Sequence, residues 1–79
     1  MKFTITSYGI AKDILGERQT VIETDSKTVG DLRSLLMDRY PELTDLRSLF
    51  IAVNREYAED VIAIKESDEI VLIPPVSGG

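Results

Sequence analysis

The chain has 79 residues, which allows one small domain, and its hydrophobic fraction of 43% is ordinary for a globular protein. Its 14 acidic and 9 basic residues give a net charge of −5, which argues against a nucleic-acid-binding surface, because such a surface needs a basic stripe. The sequence contains no cysteine and no histidine, which excludes disulfide scaffolds, Cys/His zinc sites and catalysis by Cys–His or Ser–His pairs.

The first part of the chain predicts a hairpin with a short helix in its connection. Residues 2–8 alternate as a half-buried strand, with Tyr8 on its outward side. Apolar residues then recur at helical spacing over residues 10–15, and Gly16 is a typical helix stop. Residues 18–24 predict the second strand, which pairs with the first across this helical connection.

The strongest helical pattern begins at Thr28. A hydroxyl at this position and an acid three residues later, at Asp31, are typical of a helix N-terminus. Pro41 disfavours helical geometry at Tyr40, so we expect the helix to end there, and we expect Arg33 to face water. The buried stripe is predicted to consist of Val29, Leu32, Leu36 and Tyr40.

Three strand patterns follow. Residues 49–53 are a continuous apolar run, which predicts a strand buried on both faces or covered by a helix. Residues 54–56 predict a turn into a very short strand at 57–58. Residues 70–73 predict the last strand, with alternate side chains on opposite faces. The order of elements is that of a two-layer α+β domain, a β-grasp (ubiquitin-like) fold with a mixed sheet packed on one main helix.

We expect residues 1–73 to form this domain and residues 74–79 to form an extended tail. The two prolines of the tail lack an N–H, so the preceding strand must stop. The Gly-Gly pair leaves a carboxylate as the only chemical group at the tip, thin enough to enter a narrow tunnel. A free carboxylate becomes reactive only when a partner converts it, for example to an acyl-adenylate. A frayed terminus is the competing interpretation.

The chain resembles the small, sulfur-carrying subunit of molybdopterin synthase, in the MoaD/ThiS family. The resemblance covers nearly the whole chain. Its most specific part is an Asp-Glu pair followed by a hydrophobic strand and then by the Pro-Pro and Gly-Gly pairs of the tail. It is carried by Thr28-Val29, Asp31-Leu32-Arg33, Ala52-Val53-Asn54, Asp68-Glu69-Ile70 and Pro74-Pro75-Val76-Ser77-Gly78-Gly79.

The resemblance implies a sulfur carrier that donates sulfur without supplying catalytic groups. An E1-like (MoeB-like) enzyme would use ATP to adenylate the carboxylate of Gly79, and a sulfur donor would convert it to a thiocarboxylate. The tail would then enter the large (MoaE-like) subunit of molybdopterin synthase, where sulfur passes to the pterin precursor. No cofactor or metal is expected to be bound by the chain itself.

The resemblance also implies a docking surface at the base of the tail. Tyr8, Tyr57 and Ile73 fall on family positions where exposed apolar residues contact the large subunit. The residues expected to bind a partner are Tyr8, Tyr57, Ile73, Pro74, Pro75, Val76, Ser77, Gly78 and Gly79.

Three other functions stay open from the sequence. They are the sulfur carrier of thiamine synthesis, a ubiquitin-like modifier joined to lysines, and a plain interaction domain with an inert tail. The sequence shows no signal-peptide pattern and no apolar stretch of roughly 20 residues. We therefore expect a cytoplasmic protein without membrane or nucleic-acid partners.

Overall fold

The structure is a computed structural model, and it describes residues 1–46 and 49–74. Its strands are β1 (Lys2–Ser7), β2 (Gln19–Glu23), β3 (Phe50–Val53), β4 (Glu56–Tyr57) and β5 (Ile70–Ile73). Its helical elements are α1 (Gly9–Leu15), α2 (Val29–Arg39) and a 3₁₀ helix (Pro41–Asp45).

The strands form one mixed sheet in the order β2-β1-β5-β3-β4. β1 and β5, the first and last strands, pair in parallel at the centre, with Ile5 opposite Ile70 and Ser7 opposite Leu72. The other pairings are antiparallel. A mixed sheet with one main helix is the β-grasp arrangement, so the predicted fold class is confirmed.

The core lies between the sheet and α2. Side chains from alternate positions of the central strands meet the apolar stripe of the helix, and burying each one contributes about 1.5–3 kcal/mol. The predicted stripe is confirmed for its first three members, and Tyr40 packs against it partly buried. The residues with 0% exposure are Phe3, Ile5, Ser7, Ala11, Val29, Leu32, Leu36, Leu43, Ile70 and Leu72.

Two glycines delimit α1. Gly9 begins the helix with a φ of +55°, a left-handed conformation that glycine adopts without steric cost. Gly16 ends it with a φ of +91°, and its N–H donates to the carbonyl of Lys12 at 2.8 Å. The predicted helix stop is therefore confirmed, and its mechanism is a left-handed C-terminal cap.

The predicted start and end of α2 are confirmed. Thr28 Oγ1 accepts a hydrogen bond from the N–H of Asp31 at 3.1 Å, and the Asp31 carboxylate accepts one from the N–H of Lys27 at 3.1 Å. The helix ends at Arg39, because Pro41 prevents its continuation.

Residues 58–69 form a long loop that covers the first turn of α2. The N–H groups of Val29 and Gly30, which have no acceptor within the helix, donate to the carbonyls of Ile62 and Asp60 at 2.9 Å. A Cβ on Gly30 would lie 3.0 Å from the Cβ of Asp60, which is closer than most such contacts, so the close approach of loop and helix favours glycine here.

The prediction that Arg33 faces water is wrong. Its Nε donates to Asp60 Oδ1 at 3.0 Å, and its Nη1 donates to the carbonyl of Leu49. The side chain is 23% exposed. Arg33 thus ties the helix to the loop and to the start of β3, which a helical pattern alone does not reveal.

Asp68 is buried in the turn before β5, although an acidic turn residue is usually solvated. Asp68 Oδ1 accepts from the side-chain amide of Asn54 and Oδ2 accepts from the N–H of Lys65, both at 2.9 Å. The Asn54 hydrogen bond is the main reason that the pKa of Asp68 lies below its ordinary value of 3.8, and it outweighs the opposing effect of burial.

None of the helices within the described residues has the length and apolar character needed to cross a bilayer.

Because Asp68 has a lower pKa in the folded chain than in the unfolded chain, its carboxylate stabilises the fold above the unfolded pKa. That contribution disappears as the pH falls through the folded pKa. Asp68→Asn places an amide NH₂ against a donor, so we expect a loss of about 1–3 kcal/mol in unfolding free energy at neutral pH. We also expect the unfolding free energy of this variant to fall less than that of the parent chain as the pH is lowered. Urea unfolding at a series of pH values measures both, with Asp38→Asn, an exposed acid of α2, as the control. An identical acid dependence in the two variants would contradict this assignment.

Candidate functional site

One face of the sheet packs on α2, and the opposite face carries an apolar surface. We call this surface the outer patch. It consists of outward side chains of β3, β4 and β5, two of them aromatic. Phe50 is 50% exposed and Tyr57 is 70% exposed. The members of the outer patch are Phe50, Ala52, Tyr57, Val71 and Ile73.

Strand register brings the members of the outer patch together. Phe50 lies opposite Ile73 and Ala52 lies opposite Val71, so these side chains are nearest neighbours across β3 and β5. Ala52 also lies opposite Tyr57 of β4. The rings of Phe50 and Tyr57 are 5.4 Å apart between centroids, within the range of aromatic contacts. Contiguous exposed apolar surface is typical of sites of interaction.

Tyr8 extends the outward series on the other side of β5. The last pair between β1 and β5 is Ser7 with Leu72, so Tyr8 and Ile73 each follow that pair by one residue. Tyr8 has an extended backbone, with φ −129° and ψ 161°, and is 51% exposed. Extended geometry preserves the alternation of β1, which places Tyr8 on the outward side next to the end of β5.

Pro74 follows β5 and lies beside the start of α1. A Cβ built on Gly9 would lie 3.5 Å from Cγ of Pro74, so the proline ring occupies the space beside the glycine. Proline has no N–H with which to continue the ladder, which ends the strand at Ile73 as predicted. Pro74 therefore lies between the outer patch and α1.

Arg55 stands at the rim of the outer patch. It belongs to the two-residue turn between β3 and β4, in which Asn54 has a φ of +53° and Arg55 a φ of +72°. Asparagine tolerates this left-handed conformation, but an arginine adopts it at a cost of about 1–2 kcal/mol. Arg55 borders a depression of about 280 Å³ that is also lined by Ala52, Tyr57, Val71 and Ile73.

The structure brings together four of the residues predicted to bind a partner. Tyr57 and Ile73 line one depression, while Tyr8 and Pro74 lie at the end of β5. The other predicted residues lie outside the described part of the chain. They are Pro75, Val76, Ser77, Gly78 and Gly79.

Sequence reasoning missed Phe50 and Arg55. The apolar run at residues 49–53 predicted a strand buried on both faces or covered by a helix, and the second alternative is correct: Ile51 faces α2 while Phe50 is half exposed. The pairing of this strand with β5 determines which of its side chains face outward. A run of apolar residues without a polar residue does not reveal that pairing. The sequence predicts Arg55 in a turn at the surface, and a phosphate-binding role for it has no glycine-rich loop in its support.

Comparison with known proteins gives one family. Residues 5–79 match the ThiS family. A molybdopterin synthase sulfur carrier subunit from Arabidopsis thaliana is 40% identical over 81 residues, an alignment that covers 100% of this chain and 84% of that protein.

Two solved structures are similar over their full lengths. SAMP1 from Haloferax volcanii superposes with a TM-score of 0.81 at 26% identity, with 100% of both chains covered. A complex of subunits 1 and 2 of molybdopterin-converting factor from Helicobacter pylori contains a chain with a TM-score of 0.69 at 26% identity, again with 100% of both chains covered. The protein described here belongs to the ThiS family, and its relatives include molybdopterin synthase sulfur carrier subunits.

Proposed function

We propose that this protein is the sulfur-carrier subunit of a molybdopterin synthase. The observation that carries the proposal is the position of the outer patch, exposed and apolar, beside the point where the tail leaves the sheet at Pro74. Family membership and the similarity to named sulfur carrier subunits support the same role. In this role the domain binds the partner and residues 74–79 bring the reacting group to it.

The chemistry takes place at the carboxylate of Gly79. Attack of this carboxylate on the α-phosphate of ATP gives an acyl-adenylate and releases pyrophosphate. Sulfur at the oxidation level of sulfide then displaces AMP from the acyl carbon, which leaves a thiocarboxylate. Its sulfur bonds to the pterin precursor, and water cleaves the acyl–sulfur bond, which restores the carboxylate of Gly79. The sequence contains no cysteine, so no side-chain thiol of this chain competes for the sulfur.

Two partners follow from this chemistry. The first is an adenylating enzyme of the E1 type, which supplies the ATP site and works where ATP is available, in the cytoplasm. The second is the large subunit of the synthase. Support for the second partner comes from the Helicobacter pylori assembly, in which two molybdopterin-converting factor subunits form a complex.

A second function is supported by one specific observation. The similarity to SAMP1 covers both chains completely at 26% identity, and a small archaeal modifier protein is what that name denotes. In a modifier, the activated carboxylate of Gly79 would be attacked by a lysine amine and not by a sulfur donor. The products differ, since one is a thiocarboxylate and the other an isopeptide bond.

Mass spectrometry of the full chain tests the carrier chemistry. Co-expression with the activating enzyme and a sulfur donor is expected to raise the intact mass by one oxygen-to-sulfur exchange at Gly79. Deleting Gly79, or adding one residue after it, is expected to abolish this change and the transfer of sulfur while the circular dichroism spectrum stays the same. Full sulfur transfer by the extended variant would overturn the proposal. A thiol-resistant ladder of lysine conjugates in place of the thiocarboxylate would favour the modifier.

Ile73→Asp tests the outer patch as the docking surface. A carboxylate at this position would be buried unpaired against the partner, so we expect affinity for the large subunit to fall at least about tenfold. Val21→Asp is the matched control, because Val21 is 63% exposed on the same face of the sheet but lies on the distant edge strand β2.

Isothermal titration calorimetry with the large subunit measures the affinity of both variants, and thermal unfolding checks that both are folded. Equal affinity in the two variants would remove Ile73 from the interface.

A further inference from the structure

We propose that Arg55 selects the partner that docks on the outer patch, by pairing with a carboxylate of the large subunit at the edge of the contact. This inference rests on the proposed function, because it names the chemistry that the large subunit must present. The partner's docking surface would be apolar where it covers Tyr57 and Ile73 and acidic where it meets Arg55.

The backbone of Arg55 is the first step. The turn between β3 and β4 has two residues, and both have positive φ, a geometry in which glycine is the favoured second residue. Arg55, with a φ of +72°, occupies that second position. A residue that is kept in an unfavourable backbone conformation is often kept because its side chain has a function.

The contacts within the fold do not explain that requirement. The Arg55 side chain is 88% exposed, and its one ion pair in the described structure joins Nε to Glu69 Oε1 at 3.7 Å. The Glu69 side chain is itself 53% exposed. An exposed pair at this distance contributes little to stability, since water screens both charges.

The position of Arg55 relative to the outer patch is the second step. The depression on the outer face is lined by Ala52, Arg55, Tyr57, Val71 and Ile73, and among these Arg55 alone carries a charge. An arginine side chain can lay its aliphatic part along such a surface and keep the guanidinium at the rim. A partner that covers the patch therefore brings its own rim close to this cation.

The chemistry of guanidinium sets the class of group that it meets. Arginine is always charged and binds carboxylates through two parallel hydrogen bonds, which fixes orientation as well as charge. The chain as a whole has a net charge of −5, whereas the charged residue that lines the depression is a cation. A partner with a carboxylate there is accepted, and one with a lysine or arginine there is repelled.

The experiment compares Arg55→Gly, Arg55→Lys and Lys27→Gln in the full chain. Arg55→Gly suits the turn better and removes the charge. We expect a melting temperature equal to or above that of the parent, and an affinity for the large subunit about tenfold weaker. Arg55→Lys keeps the charge but loses the two parallel hydrogen bonds, so its affinity should lie between those of the parent and of Arg55→Gly. Lys27→Gln removes an exposed cation before α2 and should leave the affinity unchanged.

Calorimetric titration at low and high salt measures these affinities, and the parent chain is expected to lose more affinity with salt than Arg55→Gly does. Unchanged affinity in Arg55→Gly, with Ile73→Asp still weakened, would overturn this inference and leave the docking surface standing. Unchanged affinity in both variants would overturn the docking surface itself. A melting temperature that falls in Arg55→Gly would show a structural role and also overturn the inference.

Discussion

The parallel pairing of β1 with β5 places the end of the last strand, and with it Pro74, at the middle of the sheet. Because β5 lies between β1 and β3, its last residue has a neighbour on each side. Phe50 of β3 lies opposite Ile73, and Tyr8 follows the last pair on the β1 side. The tail thus begins at the middle of a sheet, flanked by two half-exposed aromatic side chains. In the proposed function, the protein that receives residues 74–79 meets these side chains.

Alternate side chains of β5 face opposite sides of the sheet, so different residues of this strand serve stability and recognition. Ile70 and Leu72 are fully buried against the core, whereas Val71 and Ile73 point to the outer face and are partly exposed. Substitutions at the first pair act on the core, where removing a large side chain costs about 2–5 kcal/mol. Substitutions at the second pair act mainly on what the sheet can bind. A short strand can therefore anchor the tail firmly and still present a surface that suits a partner.

The fold could be predicted from the sequence because its signals are local. Thr28 with Asp31, Gly16 and Pro41 each act within one helical turn of their position, and the structure confirms all of them. The candidate site could be predicted only in part. Tyr8, Tyr57 and Ile73 came from the family resemblance, and strand alternation also predicted that Tyr8 and Ile73 face outward.

Features that depend on distant parts of the chain could not be predicted in this way. Phe50 lies in a run of apolar residues without a polar residue to mark its outward face, and only the pairing with β5 assigns it to that face. Arg33 meets Asp60 across 27 residues of chain, in a loop whose path no periodic pattern describes. Gly30 is explained by the same loop, since its missing side chain makes room for Asp60. Local sequence patterns specify the helices and strands, whereas tertiary contacts determine which of their side chains are exposed.

If the proposed chemistry takes place at Gly79, specificity for the partner protein has to come from the surface of the folded domain. An activated carboxylate at Gly79 is the same electrophile in a sulfur carrier and in a protein modifier, and glycine offers no side chain for a partner to distinguish. Which protein receives the tail at each stage therefore depends on the folded surface. In the proposed assembly the outer patch and Arg55 make this selection for the large subunit, because they are exposed at the end of β5. An apolar surface alone binds many partners weakly, so discrimination requires a charged group that penalises the wrong partner. Arg55, the charged residue that borders the patch, is placed to provide this discrimination.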